Sequence, residues 1–383
     1  MTEVRNSGPS TTHVCLVSDQ PIPNLLPLLI EKPRQAIFLV SPEKAAQAER
    51  LKKVMQPRGI NVTMREISAY DFDAVAGICE QLLADTLEPD LTLNVTGGTK
   101  IAALAAFQVF FFANRRIIYC DTEHNRLLQL APQRDETLIS GNAVGVRDYL
   151  ACYGVPRVEG GQPPPGGEER SPHLAALAGL LVHEERLLAN LNSALERQEK
   201  KNFANLSLNE LGQGAEKLID LLKTCGVAGL TGTNNLNIPS ADKIFFCKGG
   251  WLEEHVYWSV KNLGIKALDL TMNVKVQWDG KGKQRTKNEF DVLFTHHNRL
   301  HIISCKASNP ERETGSGTRA TEALNELDSL ADRAGGLFGR AMLVSARRLR
   351  DEDRGRAQKM KIHLVDGTEV PRLADHLRRW LGS

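Results

Sequence analysis

Between residues 13 and 120 the chain alternates short β-rich runs with helical patterns, and this limits its fold more than any other feature. Strand patterns cover residues 13–17, 36–40, 61–67, 91–95 and 116–120. Helical patterns cover 23–30, 42–56, 71–84 and 99–112. Strand–helix alternation implies a parallel sheet with helices on both faces, a Rossmann-like layer of the α/β class. Ligands of such sheets sit at the carboxyl ends of the strands, so the loops that follow them are the places to look for function.

Residues 157–172 are rich in Gly, Pro and Glu, and mark a linker after a first domain over 1–156. Helical patterns followed by short strand-like runs fill 173–247, which suits a winged-helix-like module and equally a plain helical connector. A final α/β unit occupies 248–383. With 48 Lys+Arg against 46 Asp+Glu, the net charge is only +2, so any nucleic-acid surface must be a local patch. The Cys residues are scattered without a CxxC pair, which argues for reduced thiols in a cytoplasmic protein and against a disulfide framework or zinc site. No apolar run approaches the roughly 20 residues that span a bilayer, so no membrane partner is expected.

Two constellations carry chemistry. In the first, the strand 91–95 runs into Thr96-Gly97-Gly98-Thr99-Lys100 and a helix. Backbone N–H groups at a helix start attract anions, and glycines let a ligand approach them closely. Thr96 and Thr99 add hydroxyls and Lys100 adds charge, although the spacing is not that of a Walker A loop. Ser18, Asp19, Gln20 and Asn24 follow the first strand and offer further hydrogen-bonding groups. Ser41 and Asp121-Thr122 stand at other strand ends. A simple N-cap with a tight turn explains the glycines as well.

In the second, apolar runs over 289–294 and 300–306 flank the polar turn 295–299 and read as a β-hairpin. One strand carries Asp291 and the other ends in Ser304-Cys305-Lys306. Upstream, Glu253 borders the buried stripe of a helix and is placed to reach a neighbouring sheet, whereas Glu254 points roughly away. Carboxylates suit a hard divalent cation, which polarises a phosphodiester and acidifies a water. A lysine orients that water or stabilises charge on the phosphate. Taken alone, Glu253 and Glu254 also read as surface acids in a first helical turn. Lys275, Lys281, Lys283, Arg285 and Lys287 flank the acidic strand, with Trp278 among them as a stacking group for single strands, and Arg312 and Arg319 lie in a later loop. His296 and His297 in the turn read as solvated.

The first constellation resembles a CARF (CRISPR-associated Rossmann fold) domain over residues 10–150. The resemblance implies a homodimer that binds a cyclic oligoadenylate, with cA4 the expected form, through Ser18, Asp19, Gln20, Asn24, Thr96, Gly97, Gly98, Thr99 and Lys100. The whole chain is similar to the CARF–PD-(D/E)xK ancillary nucleases of type III CRISPR systems, the Card and Can type. The likeness rests on 249–254, 289–293 and 303–306. It implies a restriction-endonuclease-like C-terminal domain that cuts DNA, and in some members RNA, when ligand and Mg²⁺ or Mn²⁺ are bound. Catalytic residues carried over are Glu253, Asp291, Ser304 and Lys306, and the metal ligands are Glu253, Asp291 and the carbonyl of Cys305. Ser304 departs from the pattern, because the last motif commonly reads Glu-Cys-Lys. Three readings follow: one metal held by the remaining groups with help from Glu289, a weak nuclease working with Mn²⁺, or a ligand-gated nucleic-acid-binding regulator that does not cut.

Overall fold

The computed structural model describes residues 12–85, 91–198, 202–232, 234–278, 287–315 and 317–382. Strands β1 (Thr12–Leu16), β2 (Gln35–Val40), β3 (Asn61–Glu66), β4 (Leu91–Asn94) and β5 (Arg116–Asp121) pair in parallel. Helices α1 (Ile22–Glu31), α2 (Ala45–Met55), α3 (Phe72–Asp85) and α4 (Lys100–Phe112) make the crossovers. Antiparallel β6 (Arg126–Ala131) and β7 (Asp135–Leu138) complete a seven-stranded sheet of order β3-β2-β1-β4-β5-β6-β7. Strand order reverses between β1 and β4, and a crevice opens at such a switch point. Both loops singled out from the sequence, after β1 and after β4, therefore meet there. Helix α5 (Val146–Cys152) ends this unit.

Segment 157–172 is more than a linker. Its first residues form β8 (Arg157–Gly160), and its end is a short helical turn, Glu168–Arg170. Glycine made the stretch look irregular, but an edge strand tolerates it. Next come α6 (Ser171–His183), α7 (Glu185–Glu196), β9 (Ala204–Ser207), α8 (Leu208–Leu211), α9 (Ala215–Thr224), β10 (Gly229–Thr231) and β11 (Asn235–Ile238). The antiparallel order β10-β11-β9 gives α7 to β11 the topology of a winged helix.

Helix α10 (Ala241–Phe245) leads through a wide turn into α11 (Trp251–Lys261). Then follow β12 (Leu268–Gln277), β13 (Lys287–His296), β14 (Arg299–Lys306), the small hairpin β15 (Glu313–Thr314) and β16 (Gly317–Thr318), and α12 (Arg319–Gly335). The chain closes with β17 (Arg340–Ser345), α13 (Asp351–Lys359), β18 (His363–Asp366) and α14 (Leu373–Gly382). The second large sheet has order β18-β17-β14-β13-β12-β8. Val292, Phe294, Ile303 and Cys305 pack into one core with α11, while Leu293, Leu300 and Ile302 pack into another with Leu324 and Leu327 of α12. That alternation is the period of two expected of a strand covered on both faces. The second core also contains Val144, Val146, Tyr149 and Leu150, so the first domain and the last share apolar packing through α5.

Helix α11 is buried on nearly all sides, including Glu254 at 4% exposure. Glu254 does not face solvent. Both its carboxylate oxygens accept from Nη1 of Arg170 at 3.0 Å, and that guanidinium lies 4.9 Å from the Phe246 ring centre. The sequence hid this partner because Arg170 sits in the Gly/Pro-rich stretch. Removing one side of a buried pair strands a charge, at a typical cost of about 3–5 kcal/mol. Arg170→Met is expected to destabilise the C-terminal half by about 3 kcal/mol in urea unfolding, and Arg170→Met with Glu254→Leu to recover most of it. A single-variant loss below about 1 kcal/mol would contradict the buried pairing.

Candidate functional site

Strands β13 and β14 pair from His296↔Arg299 down to Val292↔Ile303, and the ladder ends there. One position further on, Asp291 stands opposite Ser304. Oδ2 of Asp291 accepts the backbone N–H of Cys305 at 2.6 Å and the hydroxyl of Ser304 at 3.1 Å. A side chain thus takes over where the backbone acceptor stops. Lys306 Nζ lies 3.6 Å from the same oxygen. Beyond the opening β14 stays rigid, because Ser304, Cys305 and Lys306 pair in parallel with Leu343, Val344 and Ser345 of β17.

Glu253 enters from the first turn of α11. It lines a cavity of about 260 Å³ together with Asp291, Ser304, Lys306, Glu289 and Glu326. The sequence constellation is therefore brought together in space. Glu326 was not anticipated. Its signal was position, since it precedes Leu327 on an amphipathic helix whose apolar side covers the sheet. Oε2 of Glu253 is buried without a hydrogen-bond partner. Burial first, and then the charge of Asp291, push the Glu253 carboxyl up to about 8. Burial works against the charge on Lys306, but the nearby carboxylates, Asp291 first, outweigh it and hold its pKa above the ordinary lysine value. Lys306 is thus a cation at neutral pH.

An orphaned carboxylate oxygen beside a second carboxylate fits a cation. The donors are hard oxygens: Glu253, Asp291 and the Cys305 carbonyl, which in a strand leaves on the same side as the N–H that Asp291 accepts. Burial, ahead of Asp291 and Glu253, holds the Cys305 thiol well above its usual range, so its sulfur stays protonated. Among the described residues no group of three or more His, Cys, Asp or Glu side chains converges as a complete metal set.

At the other site, Gly97 packs so tightly that a Cβ there would collide with the Leu16 carbonyl, and Gly98 has φ +78°. Thr99 caps α4 by accepting Ala102 N–H at 3.1 Å and donates to the Ala69 carbonyl. Asn24 is fully buried, and its amide bridges the Leu16 carbonyl at 2.7 Å and Asn94 at 3.1 Å. Thr96 Oγ donates to Asn94 at 2.6 Å and accepts Cys120 N–H at 2.7 Å. These residues shape the loop from within. Asp19 pairs with Lys44 at 2.6 Å, and Gln20 accepts from Tyr153 at 2.9 Å and from Leu337 N–H at 3.2 Å. Ser18 is half-buried, and Gly98 and Lys100 are exposed at the loop rim.

Residues 12–149 match the family described as Card1 CARF domain, and residues 241–383 match the Card1-like endonuclease domain. The chain is, by fold, a CARF-domain ancillary nuclease. No curated protein matches it. Among solved structures it is similar to Can2 from Sulfobacillus thermosulfidooxidans in complex with cyclic tetra-adenylate, at 26% identity and TM-score 0.79 over 98% of both chains. It is likewise similar to VC1899 from Vibrio cholerae, at 26% identity and TM-score 0.85 over 97% of this chain and 98% of that one. A type III CRISPR defence DNA nuclease activated by cyclic oligoadenylate shares the fold at 20% identity and TM-score 0.55, over 99% of this chain and 52% of that one.

The surroundings of this ancillary nuclease correct one expectation. Trp278 is 2% exposed, donates its indole N–H to Asn288 at 2.8 Å and is covered by the Arg333 guanidinium at 4.0 Å, so it does not stack on a nucleic acid. Lys281, Lys283 and Arg285 lie outside the described residues. Lys275 and Lys287 line a cavity of about 410 Å³ that shares Glu289 and Glu326 with the Glu253–Asp291 cavity, and Arg157 of β8 joins them. Arg312 and Arg319 line a separate cavity with Lys248 and Arg347. His297 is exposed and His296 half-buried. No described helix is long and apolar enough to cross a membrane.

The Glu253 carboxyl has a definite consequence. Its pKa is raised in the fold, so its ionisation costs folding free energy as pH rises from about 4.5 to about 8. In chelator-treated buffer, stability should fall across that window, and Glu253→Gln should flatten the fall and raise the melting temperature at pH 8. A thermal melt series over pH 5–8.5 checks this, and an unchanged slope in the variant would contradict it. Mn²⁺ should stabilise the unmodified chain more at pH 8 than at pH 6, because it competes with that proton.

Proposed function

We propose that this chain is a type III CRISPR effector in which a cyclic oligoadenylate, bound at the β1/β4 switch point of a CARF dimer, activates a divalent-metal nuclease site at Glu253, Asp291, Ser304 and Lys306. The observation that carries the reading is the buried, unpartnered Glu253 oxygen beside Asp291 and Lys306. A buried acid without a partner is costly, and such sites are usually functional. For the sensor, support comes from the tetra-adenylate in the similar Can2 structure and from the tight Gly97-Gly98 turn, with Ser18, Asp19 and Lys100 at its rim. Helix α4 starts at that loop and exposes Leu104 at 60%, Phe111 at 51% and Phe112 at 80%. Such an apolar stripe fits burial against the same stripe of a second copy, and a two-fold axis there matches a cyclic ligand with internal symmetry.

A Mg²⁺ or Mn²⁺ held by Glu253, Asp291 and the Cys305 carbonyl supplies positive charge for the phosphodiester and acidifies a water. The chain's own groups do the rest. Cys305 N–H and the Ser304 hydroxyl fix Asp291 in one rotamer, so the carboxylate needs no ordering when it binds. Lys306, 3.6 Å from Asp291, is placed as a donor toward the scissile phosphate or the attacking water. Serine at position 304 hydrogen-bonds without adding charge, which weakens the metal site and favours strong dependence on metal concentration. Lys275, Lys287 and Arg157 attract phosphates without reading sequence, and the substrate is DNA, with RNA as a second polymer to test.

The regulator reading draws on the winged helix. Its second long helix, α9, exposes Glu216 and Asp220 beside Lys217 and Lys223, and these charges cancel. A phosphate backbone finds little attraction on such a face. Cutting of single-stranded DNA, supercoiled DNA and RNA in Mn²⁺ with cyclic tetra-adenylate tests the proposal. The unmodified chain should cut, Asp291→Ala should not, and Ser304→Glu should cut at roughly tenfold lower metal concentration, because ligand charge governs affinity at carboxylate sites. Ligand-dependent binding with no cutting by either the unmodified or the Ser304→Glu chain would overturn the nuclease assignment in favour of the regulator.

A further inference from the structure

The turn joining β13 to β14 does more than reverse the chain. His297 and Asn298 have φ +50° and +58°, between the paired residues His296 and Arg299. This is a two-residue hairpin with both central residues left-handed, and asparagine is well suited to that conformation. Yet Asn298 at the tip is fully buried. Its Oδ1 accepts Ala143 N–H at 2.6 Å and Val144 N–H at 3.3 Å. Its Nδ2 donates to Asn125 Oδ1 at 2.7 Å and to the Gly141 carbonyl at 3.3 Å, and its backbone N–H donates to Asn142 Oδ1 at 3.2 Å. Next to it, the Arg299 guanidinium donates to the Glu123 carbonyl. Every one of these partners belongs to the sensor domain.

We infer that Asn298 is the positioning residue through which the sensor sets the geometry of the nuclease site. This rests on the function proposed above and concerns its regulation. On the sensor side, the Asn125 turn is stiff, because Asp121 accepts from His124 N–H at 3.1 Å and from Arg126 Nε at 2.7 Å. That turn continues from β5, whose Cys120 N–H is held by Thr96 of the ligand loop. On the nuclease side, the strands leaving Asn298 are the two that carry Asp291 and Ser304-Cys305-Lys306, roughly 20 Å away along the hairpin. A rigid, fully paired lever therefore runs from a ligand-loop threonine to the point where the ladder opens. Cavities of about 400 and 590 Å³ border the same seam, lined by His296, His297 and Arg299 or by Arg299 and Arg340. These clefts lie beside the clasp and leave space next to the hairpin tip. A tilt carries Asp291 and Cys305 together, with β17 paired alongside, and changes how far they stand from Glu253 on α11, and hence the fit for a metal. Coupling of this kind is reciprocal: whatever factor the ligand adds to metal affinity, the metal adds to ligand affinity.

The test uses Asn298→Gly, which keeps the left-handed turn and deletes the clasp, and Asn125→Gly, which removes its partner from the sensor side at a residue with φ +52°. Cyclic tetra-adenylate should bind both variants within about threefold of the unmodified chain, while its stimulation of cleavage falls about tenfold or more. The double variant should lose little beyond either single one, as expected of a coupled pair, whereas a merely structural role would give additive losses. Hydrogen exchange supplies a readout independent of cleavage. The ligand should alter exchange of amides 291–296 and 299–306 in the unmodified chain and leave them unaltered in Asn298→Gly. Stimulation preserved in Asn298→Gly, or ligand-induced exchange changes that persist in it, would overturn the inference. An unmodified chain that binds tetra-adenylate without any exchange change in the hairpin would overturn it too. Absence of cleavage by the unmodified chain strikes the proposed function instead, and the exchange difference still decides the clasp.

Discussion

One carboxylate oxygen organises the C-terminal half. Asp291 Oδ2 takes the Cys305 N–H and the Ser304 hydroxyl at the point where two antiparallel strands stop pairing. An unpaired buried N–H costs about as much as a lost hydrogen bond, so the aspartate is required by the backbone before it is required by chemistry. The same contact leaves the hairpin open, and the opening is where Glu253 arrives from α11. Fold and site depend here on one interaction, which is why an acid belongs at this place even with serine in the neighbouring motif position.

The cost of the arrangement falls on Glu253. Its carboxyl is buried, close to another acid and without a donor, so the fold keeps it protonated up to about pH 8. A cation removes that penalty. In the proposed metal site, Ser304 would lower the charge that crowds the cavity, easing the unfilled state and weakening metal binding. On the function proposed above, a tolerable unfilled site and a tight filled one would let a small change at the hairpin switch the enzyme.

Much of this was legible in the sequence. Alternating strand and helix patterns gave the Rossmann-like layer, because parallel strands must be apolar on both faces. The hairpin was legible from its apolar runs, while the set Glu253, Asp291, Ser304 and Lys306 came from the family resemblance, and the structure brings these residues to one cavity. What stayed hidden depends on distant contacts. Arg170 looked like linker charge until it met Glu254 across the chain. Trp278 looked like a nucleic-acid contact until Arg333 and Asn288 covered it. Glycine in 157–160 masked an edge strand, and Asn298 looked like any turn residue, because nothing local shows which domain its side chain enters. Periodicity reports one element's faces; it does not report partners far along the chain.

The central claim is that the open end of the hairpin is a metal site despite Ser304. Anomalous diffraction from crystals of the unmodified chain grown with Mn²⁺ and cyclic tetra-adenylate tests it most directly. The account predicts a manganese peak bonded to Glu253, Asp291 and the Cys305 carbonyl, with water completing its shell. A Glu253–Asp291 cavity that stays free of manganese at saturating metal, or a peak that avoids Asp291, would contradict it.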